Sequence, residues 1–95
     1  MSDSDWSDWL DFSPETVSKI PELPGVFMMH TSMKILFIGG SENMKKSVED
    51  RSSDKCVSKS TRFRYRKEDN FKSIEKGLIK EFKKRHEGQL PSCMN

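Results

Sequence analysis

A carboxylate and a row of arginines carry the chemistry that this sequence advertises. Over residues 71–86 the apolar side chains Phe71, Ile74, Leu78, Ile79 and Phe82 recur at helical spacing. At about 100° per residue they cover an arc from about −60° to about +80°, with Glu75 near +40° inside it. A carboxylate on a buried stripe needs a partner, and the readings that remain open are a salt bridge to an arginine of the third strand, or a functional role as a metal ligand or as an acid in a pocket. The arginines come in the run Thr61-Arg62-Phe63-Arg64-Tyr65-Arg66-Lys67. Strict alternation puts Phe63 and Tyr65 on one face of a strand and Arg62, Arg64 and Arg66 on the other, as a ridge about 13 Å long. Such a ridge repels itself unless phosphates, an acidic partner or neighbouring carboxylates meet it. Together with Lys45 and Lys46, these arginines are the candidate nucleic-acid contacts.

Other reactive residues point to less. His30 and His86 lie at no ligand spacing from Cys56 and Cys93, so no zinc site is expected. The two cysteines, far apart and in polar surroundings, read as free thiols. His30, ending an apolar strand, reads as a half-buried rim residue.

The elements that must position these groups follow from the pattern. Residues 24–39 hold two short apolar runs, Val26 to His30 and Ile35 to Ile38, separated by Thr31-Ser32 and bounded by glycines. They predict a β-hairpin with both faces apolar, hence covered on both sides and central to the fold. Ser13-Pro14-Glu15 starts a short helix that ends before Pro21. Ser41 opens another helix, carrying Met44, Val48 and Arg51 on one face, and residues 52–60 read as an exposed loop. Asp69 or Asn70 caps the long last helix, and Lys83, Lys84, Arg85 and His86 suit the negative end of its dipole. The expected fold class is α+β, with a small three-stranded antiparallel sheet flanked by helices.

Bulk composition narrows the function. Ninety-five residues make one small domain with a modest core. Hydrophobic residues at 33% and charged ones at 34% describe a soluble chain, and no run approaches the roughly 18 apolar residues of a membrane span. The N-terminus opens acidic, unlike a secretory signal, so the cytoplasm is the expected location. Residues 1–24 carry six carboxylates against Lys19 alone, net −5, whereas residues 25–95 carry net +7. The chain divides accordingly into an acidic aromatic segment, residues 1–12, and a single basic domain, residues 13–95. In the first, Trp6, Trp9, Leu10 and Phe12 alternate with aspartates. They read as aromatics covering an edge of the core, or as a segment that folds back on the basic body or captures a protein partner.

The order hairpin, helix, strand, glutamate-bearing helix resembles the GIY-YIG nuclease superfamily over residues 21–86. Gly25-Val26-Phe27 is similar to its first tripeptide and Phe37-Ile38-Gly39 to its second. Residues 40–48 resemble the helix that follows in the nuclease domain of the bacterial excision-repair incision subunit, and the tail resembles that of small stand-alone prokaryotic members. The resemblance implies a mechanism in which tyrosine and arginine activate water and steady a phosphate while a divalent ion on the glutamate stabilises the leaving oxygen. At those positions this chain has Phe27, Phe37 and Ser47, with only Glu75 matching its role. Phenylalanine exchanges no proton. Arg51, one turn beyond Ser47, and Tyr65 are possible substitutes.

The expectation is therefore a catalytically degenerate GIY-YIG-like domain that binds DNA or RNA through its basic surface and needs no cofactor. The alternatives are an endonuclease using Mg²⁺ or Mn²⁺ on Glu75, and a protein-interaction module working through Trp6, Trp9 and Phe12.

Overall fold

Ser13 turns the chain into its first helix. In the computed structural model, which describes residues 6–32 and 34–94, the Ser13 hydroxyl accepts from the Thr16 amide at 3.3 Å. Pro14 fills the first helical position of α1 (Pro14–Val17), which buries Val17. Before it lies a strand too short to show a period, β1 (Leu10–Asp11). The hairpin follows as β2 (Gly25–Thr31) and β3 (Lys34–Ser41), with a bulge between Met29 and His30. Next come α2 (Met44–Arg51), a 3₁₀ turn (Val57–Lys59), β4 (Arg62–Lys67), α3 (Phe71–Arg85) and a second 3₁₀ turn (Ser92–Met94).

The sheet is antiparallel in the order β1-β4-β2-β3. It has four strands, not the expected three, because the acidic segment adds one. Leu10 pairs with Phe63 and Asp11 with Arg62 along the free edge of β4. Two residues suffice there because the Ser7 amide also donates to the Tyr65 carbonyl at 2.9 Å and the Phe12 amide to the Thr61 carbonyl at 3.0 Å.

Alternation gives the sheet two faces. One carries Phe27, Met29, Phe37 and Phe63, buried against Val17, Ile20, Met44, Val48 and Val57 from the helices and loops. The other carries Val26, Met28, Ile38 and the arginines, and α3 lies across it. The hairpin is thus covered on both sides, as its two apolar faces require. Although α3 is the longest element, none of its residues is fully buried; Ile74, Leu78 and Phe82 are half-buried on the sheet.

Cys56 and Cys93 form a disulfide, with Cα atoms 5.5 Å apart, which corrects the expectation of free thiols. Separation in sequence gave no hint of it, because the tail after α3 folds back beside β3. There the Ile38 amide, on the outer edge of the strand, donates to Met94 Sδ at 3.5 Å. The tail therefore closes the β3 edge while β1 closes that of β4.

Candidate functional site

The two phenylalanines of the hairpin tripeptides stack, with centroids 6.1 Å apart and rings 13° from parallel. Gly39 makes room for them: a Cβ there would stand 2.7 Å from Phe37 Cε1 and 2.9 Å from Phe27 Cε1. Phe27 is 2% exposed and Phe37 8%, so this corner is core. Arg51 reaches it from the last turn of α2, its guanidinium carbon 5.0 Å from the Phe37 ring centroid, within cation–π range. Ser47 is engaged locally, donating to Ser41 Oγ at 2.6 Å. Ser41 in turn accepts from the Asn43 amide at 3.0 Å, which braces the start of α2. Tyr65 stands beside Phe27 in the strand register and stacks on Phe63 at 6.5 Å.

Glu75 comes from α3 on the other face of β3. A Cβ on Gly40 would meet Glu75 Oε1 at 3.2 Å and the Phe71 carbonyl at 3.2 Å, so the bare glycine is what lets α3 seat there. The chain of β3 thus runs between Glu75 and the phenylalanine pair, since Gly39 and Gly40 face opposite ways. Among the described residues no ion pair reaches Glu75. Removal from water pushes its carboxyl above the usual glutamate value, favouring the protonated form. The same residues hold no cluster of three or more His, Cys, Asp or Glu side chains that could hold a metal. An ion at Glu75 would have one protein ligand and complete its shell with water and phosphate oxygens, as Mg²⁺ does.

The arginine row is met from within the chain. Arg62 Nε pairs with Asp11 Oδ1 at 3.5 Å. Arg64 meets two indoles, its guanidinium carbon 4.6 Å from the ring centroids of both Trp6 and Trp9. Arg66, 7% exposed, stands 5.1 Å from Trp6, and its Nε is 2.6 Å from Glu68 Oε2, an ion pair by proximity rather than an aligned hydrogen bond. Trp9 also covers half-buried His30 at 3.9 Å, and Phe12 meets Phe63 edge-on at 5.8 Å. Residues 6–12 of the acidic aromatic segment thus fold back on the basic body, and residues 1–5 lie outside the described residues. Lys45 and Lys46 sit on α2, over the opposite face of the sheet from the arginines, so the five expected nucleic-acid contacts do not form one patch.

Phe27, Phe37 and Arg51 are therefore brought together, Tyr65 flanks them, and Glu75 stands behind them. Two features went unseen in the sequence. Gly40 seats α3; its signal is a second glycine directly after the tripeptide. The other is the outward face of α3, where Lys72, Lys76, Lys80, Lys83 and Lys84 are all exposed.

The fold is that of a GIY-YIG endonuclease domain. The N-terminal endonuclease domain of UvrC from Thermotoga maritima superposes with a TM-score of 0.64 at 16% identity, covering 83% of this chain and 90% of that one. Two further structures of the same domain match with the same TM-score, at 15% and 16% identity. All three are tyrosine-to-phenylalanine point mutants bound to the catalytic divalent cation. No family model matches the chain, and no curated protein does.

Proposed function

We infer that this chain binds nucleic acid without cutting it. The observation that carries this reading is the corner itself: Phe27 and Phe37 stack as core, and Ser47 is tied to Ser41. Neither phenylalanine exchanges a proton, having neither donor nor acceptor, which leaves Arg51 over the Phe37 ring as the cation of that corner. What survives from a nuclease scaffold is its charge, net +7 over residues 25–95. Anisotropy titrations with labelled single- and double-stranded DNA and RNA test it. Binding at low salt that weakens steeply as salt rises is the expected result. No binding to any of the four refutes it.

A second reading, a divalent-metal endonuclease with a rearranged site, draws support from two observations. Glu75 has no ion-pair partner among the described residues, and Arg51 stands over Phe37. Moreover, the UvrC domains of similar fold hold their cation in tyrosine-to-phenylalanine mutants. Against it, Glu75 meets β3 at Gly40 on the face opposite the Phe27–Phe37 pair, and transition-state stabilisation is lost with shifts of about 1 Å. In this reading Glu75 would bind Mg²⁺ or Mn²⁺, which would stabilise charge on the leaving oxygen.

A further inference from the structure

The outward face of α3 is made of lysine. Taking Phe71 as zero and about 100° per residue, Lys72, Lys83, Lys76, Lys80 and Lys84 fall between about 100° and about 220°. Only Ser73 shares that arc; Glu75 and Glu81 lie outside it on either side. All five lysines are exposed, and among the described residues no ion pair reaches any of them. The only pair within the helix is Arg85 with Glu81, at 3.7 Å. Lysines four residues apart on one helix face repel each other, and no ion pair among the described residues offsets that repulsion.

The arginine row differs in just this respect. Each of Arg62, Arg64 and Arg66 already meets an aromatic ring or a carboxylate of its own chain. We propose that the lysine face of α3, rather than the arginine strand, is the surface that meets the nucleic-acid backbone, while the arginine strand is the socket for residues 6–12. From Lys72 to Lys84 the cations extend about 18 Å at 1.5 Å per residue. Regular cations along a straight rod suit a regular line of phosphates. An acidic peptide would also want apolar anchors, and Ile79 alone borders this face. Lysine serves here as a point charge, which holds a backbone without reading its sequence.

The inference rests on the nucleic-acid reading above, and one experiment separates their failures. The full chain, the triple variant Lys76→Gln/Lys80→Gln/Lys84→Gln and the control Lys55→Gln/Lys59→Gln, two exposed lysines outside α3, are titrated against a fluorescein-labelled DNA duplex, its single strand and poly-L-glutamate over a salt series. Circular dichroism confirms that all three fold alike. The triple variant should bind duplex at least about tenfold more weakly, with a slope of log K against log salt shallower by about 2.7, at about 0.9 per lysine. The control should stay within about twofold. If the triple variant binds as the parent does, or the control loses as much, the α3 surface is refuted while nucleic-acid binding stands. Binding of poly-L-glutamate alone refutes both in favour of an acidic protein partner, and no binding by any form also refutes both.

Discussion

Removing the Cys56–Cys93 crosslink should cost this domain a large part of its stability. The disulfide joins residues 37 apart in sequence. Loop-closure entropy for a ring of that size amounts to about 4 kcal/mol at 25 °C, lost when the denatured chain is released. A domain of this size has on the order of 5–15 kcal/mol in total. The native state also loses an anchor, because the tail that carries Cys93 covers the β3 edge through Met94. Urea unfolding of oxidised parent and Cys56→Ser/Cys93→Ser, followed by tryptophan emission, measures the difference. The midpoint should fall, and the slope m should rise because the open denatured chain exposes more surface. In a thermal scan the same loss corresponds to a drop of about 15–30 °C. A difference below about 1 kcal/mol would refute the reasoning, as would a reduced parent indistinguishable from the oxidised one.

Other consequences are as direct. A carboxyl whose value is raised in the folded state binds its proton more tightly there than when unfolded. Stability therefore declines as pH rises from the ordinary glutamate value through the raised one. Glu75→Gln should remove that decline and leave the variant more stable than the parent at neutral pH, as urea midpoints across pH would show. Gly25→Ala should destabilise by about 1–3 kcal/mol or more, because its Cβ would collide with the Arg66 carbonyl and with Met44 of α2; chemical denaturation reads this directly.

Much of the architecture was legible because it is periodic. The apolar runs of residues 24–39, the strict alternation of residues 61–67 and the helical stripe of residues 71–82 each bury a face, and burial writes a period into sequence. β1 was not legible, since two residues have no period and its pairing is held by backbone groups of Ser7 and Phe12. Nor was the disulfide, whose partners meet only once the tail has returned to β3. At the site, Phe27, Phe37 and Ser47 could be seen to lack the groups that nucleases use. That Glu75 and the Phe27–Phe37 pair meet opposite faces of β3 could not, because it depends on which way Gly39 and Gly40 face. The lysine stripe was in plain view, but charges along a helix look like ordinary solvation until the structure shows which cations have partners.

Binding without scission is tested most directly by incubating the protein with end-labelled branched, nicked and single-stranded DNA in Mg²⁺ and then Mn²⁺, reading retained complex and strand scission from the same samples. Shifted, uncut DNA is the expected result, with Glu75→Ala behaving as the parent does. Scission by the parent that disappears in Glu75→Ala would contradict it and establish a nuclease with a rearranged site.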